Sequence, residues 1–356
     1  RYVADILCHF YPENDYVLYA PKKRENKRMN LLTGQYRQLT LAYPATSFWK
    51  KLSSLWRVWG ITSQLEKEGI ELFHGLSNEL PLNIHKSRIK SIVTIHDLIF
   101  LRYPQYYQSI DRKIYTYKFR KACENADKII AISECTKRDI IRYFNIPDDK
   151  IEVVYQGCDV SFTHPVTEEK KEEVRKKYQL PDHYILNVGS IEERKNILAA
   201  VQALPMLPQH IHIVIVGRRT GYTEKVEQFI KDNGLGERVH IISNVPFNDL
   251  PAFYQSAEIF VYPSRFEGFG IPIIEALYSG IPVVAATGSC LEEAGGPDSI
   301  YVNPDDITGL ADAFKQIYSN SDKRKNMVEK GREFAKRFSE KQQSEEIINI
   351  YKKLIR

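Results

Sequence analysis

Twice along this chain, short apolar runs that end on Gly, Ser or His alternate with stretches of helical periodicity. Parallel strands need a crossover, and a helix is the usual one, so the alternation predicts an α/β protein with two Rossmann-like, doubly wound parallel sheets. In the first half the expected strands are Tyr16 to Tyr19, Glu71 to His74, Ser91 to His96, Lys128 to Ser133 and Ile151 to Gly157, with helices over 112–125 and 136–144. In the second half they are His183 to Val188, His210 to Val216, Arg238 to Ile242, Ile259 to Tyr262 and Ile281 to Ala285. Between Ser161 and Gln179 the composition turns to Pro, Thr, Glu and Lys without apolar periodicity, which predicts a domain boundary there, with domains over 1–165 and 166–339. The last stretch, 340–356, is helical in pattern with no strand after it, so it packs on a surface already built. In open α/β sheets ligands bind beyond the carboxyl ends of the strands, so the loops there, and the other domain across a cleft, are where a site is expected.

Several function classes drop out. No run approaches the ~20 apolar residues of a membrane-spanning helix. The five cysteines form no CxxC pair, which argues against a disulfide framework or a structural zinc and favours a reducing cytoplasm. A formal charge of +5 is too small to mark a nucleic-acid binder, though it suits anionic substrates or an anionic lipid surface. The chain shows no secretory signal and opens in an amphipathic stretch (Val3, Ile6, Leu7, Phe10), where an α/β domain normally opens with a strand and a glycine turn. The expectation is that a first strand and its loop are missing.

The most informative stretch is Ser264-Arg265-Phe266-Glu267-Gly268-Phe269-Gly270-Ile271-Pro272-Ile273-Ile274-Glu275, which joins a strand to a helix. Pro272 suits the first helical position, so Gly268 to Gly270 form the turn and present backbone N–H groups to an anion. Glutamates beside a phosphate repel it unless they bind neutral hydroxyls, which a sugar or a ribose offers. Glu267 and Glu275 therefore read as a nucleotide-sugar clamp; the plainer alternative is a glycine turn with one capping and one solvated acid. A second feature, Val188-Gly189-Ser190-Ile191-Glu192-Glu193-Arg194-Lys195-Asn196, sets two cations at another strand end, where a departing diphosphate develops charge. Such a tract is otherwise a solvated helix face. No D-x-D triplet exists to hold Mg²⁺ or Mn²⁺, so Arg194 and Lys195 are the expected substitute and no metal is expected. Third, Ile95-His96-Asp97 ends a strand of the first half; His96 can orient a sugar with Asp97 fixing its tautomer, or the pair simply caps a strand and starts a turn.

Together these motifs resemble the retaining GT-B glycosyltransferases of family 4, also called group 1, over nearly the whole chain. Glu267 and Glu275 match the family's E-x7-E motif in its strand-loop-helix setting. The resemblance implies two Rossmann-like domains facing a cleft, with the terminal helix returning to the first. It implies that Glu267 contacts donor-sugar hydroxyls, Glu275 the ribose, and the Phe269 and Gly270 N–H groups the diphosphate. Gly189, Gly268, Ile271 and the Val245 loop belong to the same donor site. Arg194 and Lys195 match the family's diphosphate-binding pair, His96 its first-domain histidine near the transferred sugar. The Ser-Ile-Glu-Glu-Arg-Lys-Asn variant looks like the mannosyltransferase-type subgroup, which tilts the donor toward GDP-mannose over a UDP-sugar. The implied reaction moves a hexose to a glycan or lipid-linked acceptor in cell-surface polysaccharide synthesis, with no cofactor and no nucleic-acid partner. Where the family opens with a strand and glycine loop just before an Arg-Tyr like Arg1-Tyr2, this chain departs from it.

Other readings are a sugar-nucleotide epimerase, a non-catalytic nucleotide-sugar-binding protein, or a glycosidase using the two glutamates; the last leaves Arg194 and Lys195 without a role. Finally, Trp49, Leu52, Leu55, Trp56 and Trp59 fall on one helical face near Lys22, Lys23, Arg24, Lys27, Arg28, Lys50 and Lys51. That combination suits either peripheral contact with the anionic inner face of the cytoplasmic membrane or plain core packing.

Overall fold

The computed structural model describes residues 2–23 and 27–355, without the side chains of residues 27 and 28. Arg1, Arg24 and the side chains of Lys27 and Arg28 therefore lie outside the described residues. The chain divides into two compact units, one of Arg1–Tyr155 with Glu340–Arg356, the other of Gln156–Ser339.

In the first unit β1 (Tyr16–Tyr19) pairs in parallel with β2 (Leu39–Ala42). A second sheet, also parallel, follows the order β3 (Leu72–Gly75), β4 (Lys90–Ile95), β5 (Lys128–Ala131), β6 (Ile151–Val153). Strand side chains alternate between faces, and the two central strands use both. Val93, Ile95, Ile129 and Ala131 point into a cluster with Trp56, Leu65, Phe100 and Ile140. Ile92 and Ile130 point the other way, against Leu7, Ile347 and Ile350. The Tyr2–Phe10 and Glu340–Ile355 helices thus cover one face, so the C-terminal helix does return to the first unit. Tyr351 fixes its register through His74: the Tyr351 hydroxyl meets Nδ1 at 2.6 Å and Thr94 Oγ1 meets Nε2 at 2.7 Å. Burial, and then the neighbouring His96, push the His74 imidazole down to about 3.

The tryptophan face is corrected. The helix is interrupted at Leu52 (φ −105°, ψ 44°) and residues 56–60 form a π turn, with more residues per turn than an α-helix; Trp56 lies in the core at 1% exposure, with Nε1 donating to Gln64 Oε1 at 3.1 Å. Trp49 lies against Gly60, where a Cβ would sit 2.6 Å from its ring. Only Trp59, 49% exposed, faces solvent.

The second unit holds one six-stranded parallel sheet, made of β7 (Tyr184–Val188), β8 (His212–Val216), β9 (Val239–Ile242), β10 (Ile259–Tyr262), β11 (Val283–Ala286) and β12 (Ile300–Val302). Their order is β12-β11-β10-β7-β8-β9. The division between the units falls before Gln156, not at 165. The reason is Phe162, fully buried with its ring 5.3 Å from Tyr254 and 5.8 Å from Phe247, which ties the connecting segment to the second unit.

A buried His74 that stays neutral makes the fold acid-sensitive. Its pKa in the folded chain lies below the 6.5 of an unfolded one, so its contribution is complete above pH 6.5 and is lost as pH falls toward 3. Urea unfolding between pH 7.5 and 5.5 should show stability falling with acid, and His74→Gln should flatten that slope. An unchanged slope in the variant would remove His74 as its source.

Candidate functional site

In the second unit the chain runs from β7 outward through β8 and β9, then returns to add β10, β11 and β12 on the other side of β7. The reversal makes the β7–β10 pair the topological switch point, where two loops diverge and leave a crevice at the carboxyl ends. The loop after β7 is Gly189 to Lys195, and the loop after β10 is Pro263 to Gly270. The loop after β7 also packs tightly on the end of β8: a Cβ at Gly217 would sit 1.7 Å from the Gly189 carbonyl oxygen, so only glycine fits. Arg265 N–H donates to the Arg194 carbonyl at 2.9 Å, joining the two loops through the backbone.

Side chains complete the junction. The Glu267 carboxylate, 8% exposed, takes Arg194 Nη1 on Oε2 at 2.9 Å and Lys195 Nζ on Oε1 at 2.6 Å. Ser264 Oγ donates to Oε1 at 2.6 Å, and the Tyr262 hydroxyl at 3.3 Å. Burial alone would push the Glu267 carboxyl up, but the Lys195 and Arg194 charges outweigh it and hold it below its ordinary range. Lys195 also donates to the Tyr262 hydroxyl at 2.6 Å with its ammonium over the ring, and Arg194 Nη1 donates to the Phe266 carbonyl at 2.5 Å. Cys290 Sγ donates to the Glu267 carbonyl at 3.0 Å. Asn196, in the left-handed region at φ 54°, ends the cationic turn and donates to the Pro263 and Pro304 carbonyls. Glu192 lies 3.8 Å from Arg194 Nη2 and 3.6 Å from Arg218 Nη2, so three cations meet two carboxylates and the junction keeps a net positive charge, which suits an anionic ligand. Such a cluster binds rigidly, because its side chains are already oriented before a ligand arrives.

The Ile271–Ser279 helix follows without a side-chain cap. Ile271 is its first residue and Pro272 its second, one place later than the sequence suggested. Gly270 must be small, since a Cβ there would lie 2.9 Å from that of Ala294. Phe269 is buried against Phe338, ring centroids 5.6 Å apart. Glu275, half-buried one turn in, accepts from the fully buried Tyr254 hydroxyl at 2.7 Å. Its carboxyl is pushed up to about 7 by burial, against the opposing pull of the Tyr254 hydrogen bond.

Arg194, Lys195 and Glu267 are therefore in direct contact, with Gly189 and Gly268 to Ile271 on the same two loops and Glu275 on the helix that follows. Val245 lies after the edge strand β9, beside Asn244 in the left-handed region. His96 belongs to the first unit, at the end of β4, and its Nε2 donates to the Leu76 carbonyl at 2.9 Å, which sets its tautomer. Asp97, expected to do so, accepts from the Ile99 N–H with Oδ1 at 3.0 Å. Sequence reasoning missed Tyr262, Ser264 and Tyr254; a tyrosine closing the otherwise apolar β10 run was the available signal. Among the described residues no group of three or more His, Cys, Asp or Glu is placed to hold a metal ion.

Residues 168–334 match the family model described as "Glycosyl transferases group 1", and residues 2–162 match "Glycosyltransferase Family 4". The chain is 31% identical over 289 residues to the O-antigen chain mannosyltransferase B of Escherichia coli, covering 80% of this chain and 74% of that one. It is 29% identical over 225 residues to the O-antigen chain mannosyltransferase RfbU of Salmonella typhimurium, covering 63% of this chain and 60% of the relative. Among solved structures, Anabaena Alr3699/HepE in complex with UDP superposes with a TM-score of 0.79 at 18% identity, over 99% of this chain and 95% of that one.

Ionised Glu275 opposes folding. Its pKa of about 7 in the fold stands above the ordinary 4.5, so its favourable contribution is present below pH 4.5 and lost as pH rises toward 7. Glu275→Gln should therefore stabilise the ligand-free protein at pH 8 by on the order of 1–3 kcal/mol, with the gain shrinking below pH 5. Urea titrations at the two pH values measure it; no gain at pH 8 would contradict the burial of a charge at this position.

Proposed function

This chain belongs to the group 1 glycosyltransferases of family 4, and from that premise we propose that it moves mannose from GDP-mannose to a glycan or lipid-linked acceptor in cell-surface polysaccharide synthesis. The fold is GT-B. The observation that carries the reading is the Arg194–Glu267–Lys195 junction at the switch point, a preassembled cationic site where a diphosphate leaving group develops charge. The donor preference rests on the two O-antigen mannosyltransferase relatives, and a UDP-sugar is the second choice. Glu267 turns its remaining hydrogen-bonding capacity to the donor-sugar hydroxyls. Glu275 takes the ribose hydroxyls, the Phe269 and Gly270 N–H groups take the diphosphate, and the Gly189 and Val245 loops flank the nucleotide. His96 serves the transferred sugar.

Chemically, the bond from the anomeric carbon to the diphosphate oxygen breaks, the acceptor hydroxyl oxygen forms the new glycosidic bond on the same face, and the hydroxyl proton passes to the departing nucleoside diphosphate. Retention of configuration and independence from metal are part of the proposal, with Arg194 and Lys195 supplying the positive charge. The enzyme works in the cytoplasm, attached peripherally to the inner membrane face; no helix among the described residues is long and apolar enough to cross a membrane.

Incubation of the enzyme with GDP-mannose and a mannose-bearing acceptor should yield an α-linked product, read by NMR from the anomeric proton, at the same rate with EDTA present. A β-linked product, or activity lost in chelator and restored by Mn²⁺, would overturn the mechanism. Isomerised donor without any acceptor product would point to an epimerase instead.

A further inference from the structure

Among the described residues five other than glycine have a positive φ, a conformation that disfavours any side chain with a Cβ and persists only where the surroundings hold it. Asn145 and Gln179 close helices, where a left-handed residue is ordinary. Asn196 ends the cationic turn after β7, and Asn244 follows β9, both in loops of the second unit's site. Asn78, at φ 60°, is the fifth: it lies in the first unit beyond the end of β3 and closes no helix. Glycine would adopt this φ at no steric cost, so an asparagine here calls for a role for its side chain.

That role is visible in the turn itself, which folds tightly back over the end of β4. A Cβ at Gly75 would sit 2.1 Å from the Glu79 carbonyl oxygen, so the turn closes only with glycine at its start. Asn78 N–H donates to the Thr94 carbonyl at 3.0 Å, and Asn78 Oδ1 accepts from the His96 N–H at 2.8 Å. From the same turn the Leu76 carbonyl accepts from His96 Nε2 at 2.9 Å. One short segment therefore holds His96 by both its main chain and its ring. The segment is anchored in turn: Leu80 is buried in the core, and Glu79 pairs with Arg57 at 3.2 Å and with Lys118 at 2.9 Å. Thr94, which takes the Asn78 N–H, is fixed by its own Oγ1 against His74 Nε2 at 2.7 Å. On the other side of His96, Thr136 Oγ1 donates to its carbonyl at 3.3 Å.

We propose that Asn78 is the positioning residue of His96: its side-chain amide, presented by a left-handed turn, locks the His96 main chain so that the ring stays on the Leu76 carbonyl as the Nε2–H tautomer. In that tautomer Nδ1 carries the lone pair, so His96 meets the transferred sugar as a hydrogen-bond acceptor for a hydroxyl and not as a proton donor. A ring oriented before the substrate arrives keeps its geometry through the reaction, which is where such positioning acts on rate. The inference rests on the role given to His96 in the proposed function and adds the residue that fixes its orientation.

Two variants separate the side chain from the backbone: Asn78→Gly keeps the left-handed turn and deletes the acceptor, whereas Asn78→Asp keeps both. Circular dichroism should show each folded. In transfer from GDP-mannose to the mannose-bearing acceptor, Asn78→Gly should lower kcat about tenfold with little change in donor KM, the scale of one hydrogen bond, and Asn78→Asp should keep most of the rate. In a His96→Ala background Asn78→Gly should add no further loss, because Asn78 acts through His96. NMR gives a readout independent of turnover. The wild-type His96 ring should be the Nε2–H tautomer with its amide protected from hydrogen exchange, and Asn78→Gly should show both tautomers and faster exchange. Wild-type kcat in Asn78→Gly, a second full loss in the His96→Ala background, a wild-type ring protonated on Nδ1 alone, or NMR unchanged in the glycine variant would each overturn the inference. A loss in His96→Ala that Asn78→Gly does not share overturns it and leaves the proposed function standing. If the wild type transfers no sugar, the proposed function fails and the NMR comparison decides whether Asn78 holds His96.

Discussion

A single buried carboxylate holds the second unit's site together. Glu267 comes from the loop after β10, and both of its cationic partners come from the loop after β7. Burying that carboxylate is costly unless it is paired, and truncating one partner of such a pair typically costs ~3–5 kcal/mol because the other charge is left behind. The two loops therefore cannot drift apart without large penalty. Around this clamp, Tyr262 and Ser264 satisfy Glu267 Oε1, and the Cys290 thiol fixes the Glu267 backbone. The chemistry of the site depends on this prior arrangement: the cations already occupy fixed positions when a phosphate arrives.

Glu275 shows the opposite solution to burying an acid. Among the described residues it has one hydroxyl partner, Tyr254, and no cation, and burial pushes its carboxyl up to about 7. A group kept at the edge of ionisation costs stability in the empty protein and is repaired only when hydroxyl donors arrive. The two glutamates of one motif are thus tuned apart by their surroundings, one held charged by cations and the other strained by its near isolation.

Much of this was legible in the sequence, for a physical reason. Central strands of parallel sheets are buried on both faces, so β4, β5, β7, β8 and β10 read as apolar runs and lie within two residues of their expected limits. The four-residue β2 and the three-residue β12 are apolar but too short to stand out as strands, and they escaped notice. The single-face reading of the tryptophans failed because helical arithmetic assumes an unbroken 3.6 residues per turn, and a break at Leu52 followed by a π turn at 56–60 interrupts it. The boundary failed because the partners of Phe162, Phe247 and Tyr254, lie far along the chain. At the site, the charged residues announced themselves at strand ends. Tyr254, Tyr262 and Ser264 did not, because what gives them a role is contact with a glutamate, and contact has no sequence signature.

Glu267 can organise the cations without touching a sugar, and the two roles respond to different ligands. A nucleoside diphosphate carries no transferred sugar, so Glu267 has nothing of its own to bind in it. Titration calorimetry of GDP, or of whichever nucleoside diphosphate binds the wild type best, compares wild-type protein with Glu267→Gln. If Glu267 holds Arg194 and Lys195 in place, the variant should bind the diphosphate about tenfold or more weakly, the loss of one charge-assisted contact. Unchanged affinity, or the tighter binding expected from simply deleting a negative charge beside a phosphate, would contradict the account.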